Sequence, residues 1–336
     1  MSIVAFSRDA LTRAHGTGAF DLDRIVVGVD FTSASLAAGR WATTALAPNA
    51  HAVLVHAASP SAGDSSKETD SSSRDDHAPR NAAALAGGLT GFAATLDVAS
   101  ASTVVRVGLP SRWLGAMAQE AGASLIVLGR RADSARRRVG EPNVLERVAR
   151  RSASSVLVVP EGTVGLPRQV LAAVDNGPLS GAVIAAADRV ARLHDIPLIV
   201  MHVVPPASGA YERVIDAGRR TGRRSMRSRH EDVAATMSPE ATAWLEQLVR
   251  VHSTTRVHRI HVELGDPARQ IASMSTKLGP TLVVSGKRGE DGAPLGSLGS
   301  VARTLLKSAP GPVLAIDQDA THMDGGRQPT WDVPRR

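Results

Sequence analysis

The sequence predicts an α/β chain of two tandem, doubly wound domains, each a five-stranded parallel sheet with helices on both faces. Three observations lead there. A chain of 336 residues is long enough for two separate cores. Its two halves repeat one another segment by segment. Short continuous apolar runs alternate with amphipathic stretches, the pattern of strands buried on both faces and of the helices that cover them.

Taken in order, residues 1–23 are an N-terminal extension, broken by Arg8, Asp9, Arg13 and His15 and without a signal-peptide core. The first domain is expected over 24–161. Arg24-Ile-Val-Val-Gly-Val-Asp30 supplies strand 1 and matches Gln169-Val-Leu-Ala-Ala-Val-Asp175. Ser33 precedes a helical pattern over Ala34–Leu46. Ala52-Val-Leu-Val-His56 is strand 2 and matches Leu198-Ile-Val-Met-His202. Ser59 to Arg80, rich in Ser, Asp, Gly and Pro, reads as a mobile loop. Val105-Arg-Val-Gly108 with Pro110 matches Val262-Glu-Leu-Gly265 with Pro267, and Pro110 and Ser111 open the helix Trp113–Ala121. Leu125–Gly129 matches Leu282–Gly286, and Val156–Val159 matches Val313–Ile316, as strands 4 and 5. Pro160 to Pro167 reads as a linker. The second domain is expected over 168–318, with Ser238-Pro239-Glu240 opening the helix Ala241–Arg250 and a polar tail over 319–336. Asp30 and Asp175 lie 145 positions apart, Gly129 and Gly286 lie 157 apart, so the second copy carries an insertion of 12, nearly all between Pro206 and His258.

Composition narrows the function. Four Phe, four Trp and one Tyr are too few for base-stacking or sugar-stacking platforms. Zero cysteines exclude disulfides, thiolate metal sites and a cysteine nucleophile. The net charge of +7 is carried almost wholly by Arg, with Lys only at 67, 277, 287 and 307, and Arg suits bidentate anion recognition. No stretch reaches the roughly 18 apolar residues of a membrane helix. A cytoplasmic protein is expected.

Open parallel sheets take ligands beyond the carboxyl ends of their strands, where the strand order reverses. In the second copy that places Asp175 after strand 1, His202 and Val203 at strand 2, and Gly286 after strand 4. Gly286-Lys-Arg-Gly289 is followed by nine residues, then Gly299-Ser300-Val301 and the helix Ala302–Ser308. Gly286 leaves no Cβ where a sugar ring would approach, and Gly289 permits the positive φ of a turn around phosphates. Gly299 and Ser300 begin a helix whose N–H groups and dipole favour an anion. Arg288 can add a charge, and Asp175 can accept from a ribose hydroxyl or a base edge.

The spacing G-x2-G-x9-G-S, an Asp closing strand 1 and Pro312-Val-Leu314 opening strand 5 together resemble the universal stress protein family, in both copies. The resemblance implies sheets of strand order 3-2-1-4-5. It implies ATP, alone or with magnesium, held by Asp175, Val203, Gly286, Arg288, Gly289, Gly299, Ser300 and Val301. It implies a stress-responsive regulator that an unknown protein partner reads, and two domains packed through their last strands as an internal pseudo-dimer, with a homodimer of chains left open.

The first copy departs from this. Gly129-Arg-Arg-Ala132, nine residues, then Pro142-Asn143 keeps the length and loses two glycines and the serine. Pro142 removes an N–H donor. Asp30, Gly129, Arg131 and Asn143 are therefore read as a vestigial site, with a changed anion site as the alternative, since Arg130, Arg131 and Arg136 to Arg138 are cationic. The run from Arg219 to His230 is a solvated basic loop, or a stripe for nucleic acid or another anionic surface. His56 and His202 recur at the end of strand 2 and read as packing beside a ligand; no histidine grouping has metal-ligand spacing. No Walker motif, nucleophile elbow or kinase set is present, and nothing identifies a general base. A nucleotide-independent scaffold, slow ATP hydrolysis and self-phosphorylation stay open as alternatives.

Overall fold

The computed structural model describes residues 22–58, 81–132, 144–205, 239, 241–254, 257–289 and 297–317. The predicted loop over 59–80, the basic run 219–230, Ser238 and Glu240, Pro142 and Asn143, Glu290 and Asp291, and the tail over 319–336 lie outside these. The chain divides into two compact units, the first running to Leu166 and taking in Asp317, the second spanning Pro167–Ile316.

In the first unit β1 (Arg24–Gly28), β2 (His51–Ala58), β3 (Ser100–Val107), β4 (Leu125–Arg130) and β5 (Ser155–Pro160) alternate with α1 (Ser33–Ala45), α2 (Ala82–Ala93), α3 (Pro110–Ala121) and α4 (Val144–Arg151). The strands lie in the order β3-β2-β1-β4-β5, all parallel. The second unit repeats the scheme. Its strands are β6 (Gln169–Val174), β7 (Leu198–Val204), β8 (Val257–Leu264), β9 (Thr281–Gly286) and β10 (Val313–Ile316). Its helices are α5 (Ser180–His194), α6 over 241–252, α7 (Pro267–Leu278) and α8 (Ser300–Ser308). The order is β8-β7-β6-β9-β10, again all parallel. Both sheets have the predicted order 3-2-1-4-5.

The apolar runs are buried on both faces because helices cover both. Ile25, Val26, Val27, Leu125, Ile126 and Val127 are inaccessible to solvent, as are their counterparts Val170, Leu171, Leu282 and Val283. Equivalent registers hold the central pairs: Ile25 faces Leu125, and Val170 faces Leu282. Each sheet reverses its order between strands 1 and 4, which opens a cleft at β1/β4 and another at β6/β9.

Helix starts differ from expectation by a residue or two. Thr32, rather than Ser33, caps α1, its Oγ1 accepting from the Ser35 N–H at 3.3 Å. Pro110 and Pro267 are the first residues of α3 and α7, where a missing N–H is harmless. The residue before each proline separates the copies: Asp266 accepts from the Arg269 N–H at 2.8 Å, while Leu109 makes no side-chain cap.

The stretch read as a linker is folded against the first unit. The Trp41 Nε1–H donates to the Gly165 carbonyl at 3.0 Å, and the Thr163 hydroxyl donates to the Pro160 carbonyl at 2.7 Å. Among the described residues no helix is long and apolar enough to cross a membrane.

Candidate functional site

The β6/β9 cleft holds a cavity of about 420 Å³, and all eight residues singled out in the second copy line it: Asp175, Val203, Gly286, Arg288, Gly289, Gly299, Ser300 and Val301. They arrive from three places. Asp175 follows β6, Val203 belongs to β7, and the remainder flank the segment between β9 and α8. Asp175 is held by its own turn, with Oδ1 accepting from the Gly177 N–H at 2.8 Å and from the Ser180 hydroxyl at 3.3 Å.

The glycines are needed for reasons other than those predicted. Gly289 does not occupy the left-handed region. A Cβ there would lie 3.0 Å from Asp175 Oδ2, so the glycine lets the carboxylate approach the loop. A Cβ on Gly286 would lie 3.0 Å from the Arg288 carbonyl oxygen and 3.2 Å from Leu179 Cβ; the crowding comes from the protein itself. Gly299 caps α8 as predicted, but its N–H donates to the Lys287 carbonyl at 2.8 Å. The anion-facing donors of α8 are thus those of its first turn, Ser300, Val301 and Ala302, ahead of the first helical bond from the Arg303 N–H to the Gly299 carbonyl at 2.9 Å.

Two features of this cavity, and one residue beside it, were missed. Ser285, on β9, lines it and is 3% exposed, and its hydroxyl has no hydrogen-bond partner. The run Leu282-Val-Val-Ser285 reads as an apolar strand, so the serine carried no signal. Asp266, Pro267 and Ile271 bring the start of α7 to the same wall; the repeated Gly-x-Pro was the available clue. Lys287, between lining Gly286 and Arg288, is buried at 1% exposure, which no spacing announced.

The β1/β4 cleft of the first unit holds a cavity too, of about 340 Å³. Asp30, Gly129 and Arg131 line it, together with Arg130, Leu114, Leu128, Val144 and Leu145; Asn143 lies outside the described residues. Burial raises the Asp30 carboxyl, but hydrogen bonds from the Thr32 hydroxyl and backbone N–H outweigh it and hold the group below its ordinary value. Burial pushes the Arg130 guanidinium down. A Cβ on Gly129 would lie 2.3 Å from the Ala34 carbonyl carbon and oxygen, so this glycine exists to let α1 cross β4. Glu161, past the end of β5, accepts from the Ser33 hydroxyl and, at 3.2 Å, from the Ala132 N–H. Those bonds, the Ser33 one foremost, hold its carboxyl below the usual range.

The paired histidines are positioned alike. His56 Nδ1–H donates to the Val29 carbonyl at 2.8 Å, and His202 Nδ1–H to the Val174 carbonyl at 2.9 Å. Each ties strand 2 to the last residue before the strand-1 aspartate. His202 also meets the edge of Trp244, ring centroids 5.2 Å apart. No group of three or more His, Asp or Glu among the described residues is placed to hold a metal ion.

Two doubly wound domains in tandem, each with a cleft at its switch point, define the class. The sequence pattern of the universal stress protein family matches residues 22–160 and again 167–317. The chain belongs to that family. Among solved structures it is similar to a universal stress protein from Archaeoglobus fulgidus, 17% identical over 88% of this chain and 98% of that one, with a TM-score of 0.59. It is also similar to a Pseudomonas aeruginosa protein described as a universal stress protein, 17% identical over 89% and 95%, with a TM-score of 0.55. A universal stress protein in complex with cAMP matches over 42% of this chain and 98% of its own, at 24% identity and a TM-score of 0.33. No curated protein matches the chain.

Proposed function

We propose that the second domain binds ATP and that the chain works as a stress-responsive regulator whose partner reads the Gly286–Gly299 segment. The observation that carries this reading is the convergence of all eight family-motif positions on one cavity. The orphaned Ser285 hydroxyl adds to it, because a buried polar group without a partner is one a ligand can satisfy. In this reading Asp175 and Ser285 meet the hydroxyls or the base edge, and Val203 walls the base. The first-turn N–H groups of α8, with Ser300 Oγ and Arg288, hold the phosphates. Magnesium, where present, is carried by the phosphates.

Binding is favoured over hydrolysis. Among the described residues two carboxylates line the cavity, and each accepts from a backbone N–H: Asp175 from Gly177, and Asp266 from Arg269. Both are thereby engaged in holding their own turns, which suits them to positioning a ligand.

The test is nucleotide content. Protein purified without added nucleotide is denatured, and what it releases is identified by chromatography and mass. About one ATP per chain is expected, and bound ATP at 100 times Kd raises stability by about 2.7 kcal/mol. Release of none, with no binding on titration to millimolar ATP, sinks the reading.

A further inference from the structure

We infer that the first domain's cavity is a binding site for an uncharged, ring-bearing small molecule without phosphate. The inference does not rest on ATP binding in the second domain. The cavity is built and of ligand size, about 340 Å³. What has changed is part of the chemistry around it, while Asp30 and Arg131 keep the charges of Asp175 and Arg288.

The places that would receive an anion are occupied by the protein's own carboxylates. Ala132 stands where the second copy has Gly289, and its N–H is taken by Glu161 at 3.2 Å. The first turn of α4 carries Glu146, 6% exposed and paired with Arg150 at 3.1 Å, at the position where α8 has Arg303. A phosphate there would have to compete with Glu161 both for the Ala132 N–H and for Arg131, whose charge already acts on that carboxylate, with Asp30 on the same wall; Arg130 and Arg131 are the cations the wall keeps.

At the same time part of the wall has become apolar. Leu128 replaces the orphaned Ser285 and Leu145 replaces Ala302, beside Leu114 and Val55, while Asp30, Ser35, His56, Arg130 and Arg131 keep the rest polar. Phe31, Leu109 and Val144 are exposed at 42%, 53% and 39%. Val144 lines the cavity, Leu109 adjoins lining Pro110, and Phe31 rests on lining His56 with ring centroids 4.7 Å apart. The second copy has Asn176 and Asp266 in place of Phe31 and Leu109. Phe31 also holds φ at 59°, a conformation a bulky side chain adopts only under constraint. Three exposed apolar side chains gathered at one opening mark a binding surface. Asp30 offers an acceptor to a hydroxyl or amine of the ligand.

N-phenyl-1-naphthylamine, neutral, aromatic and carrying one N–H, is the probe. Full-length protein is saturated with ATP and titrated while probe fluorescence is followed. One site per chain of micromolar affinity is expected, undisturbed by further ATP. The surface double variant L109D/V144D is expected to weaken it at least tenfold with a melting temperature no lower than that of the unaltered protein; V144D alone, which leaves α3 untouched, should weaken it several-fold. Absence of a saturable site overturns the inference. So does displacement of the probe by ATP, or probe binding that ignores both variants.

Discussion

Ser285 and Leu128 occupy the same position on the fourth strand of their domains, and both line the cleft where the sheet reverses. One leaves a buried hydroxyl unsatisfied; the other presents only carbon. Asp266 and Leu109 show the same exchange, Gly289 and Ala132 differ by a methyl group, and Arg303 and Glu146 reverse the charge. The frame beneath is unchanged, down to the histidine that ties strand 2 to the strand-1 carbonyl. A duplicated domain can therefore keep its sheet, its cleft, its internal anchors and even its strand-1 aspartate and loop arginine while several of the groups around them are replaced.

The largest expected effect tests the frame itself. Gly129→Ala drives a Cβ into the Ala34 carbonyl at 2.3 Å, where backbone must move, and should destabilise the first domain by about 3 kcal/mol. Gly286→Ala meets its neighbours at 3.0 Å or beyond and should destabilise the second by about 1 kcal/mol. Urea unfolding followed by domain-specific probes reads both, and equal losses would break the contrast.

Next come the ligand-facing positions. Gly299→Asp places a carboxylate at the α8 start and should lower ATP affinity at least tenfold, with first-domain stability unaltered. Ser285→Ala should weaken ATP several-fold while leaving the melting temperature within about 2 °C. A Ser285→Ala protein that binds ATP normally would remove the hydroxyl from the site. Leu109→Asp should stabilise α3 by roughly 1 kcal/mol by giving it the cap that Asp266 gives α7.

The smallest effect concerns pH. Burial holds His252 below its ordinary value; burial and the charge of Arg24 do the same for His51. A histidine whose folded pKa is depressed favours the folded state while neutral, so its contribution is whole above about pH 6.5. It is lost as pH falls from there toward the lower folded pKa, because the unfolded chain takes up the proton first. His252→Gln, which removes a ring whose two nitrogens lack partners, should flatten the fall in melting temperature between pH 7 and pH 5.

The strands were readable because they depend on local pattern, while the sheet order and eight of the residues lining the second cavity came with the family resemblance. Apolar runs mark strands buried on both faces, and the glycine spacing marks a loop folding over strand ends. The reasons attached to those glycines were less readable. Gly289 looked like a turn residue, and its neighbour in space is Asp175, 114 positions earlier in the chain. Ser285 was hidden inside an apolar run. Glu161 was invisible for a different reason: its partners Ser33 and Ala132 are brought to it only when β5 is laid beside β4, and no spacing announces that.

The six residues after β5 have a practical consequence for anyone dissecting the gene. The family match stops at residue 160 and resumes at 167, which invites a cut at Pro160. A fragment ending there would lack the Gly165 carbonyl that receives the Trp41 indole and the Glu161 carboxylate that closes the Ala132 N–H. An isolated first domain prepared that way would leave the Trp41 indole and the Ala132 N–H without those partners, whereas a boundary after Leu166 keeps both.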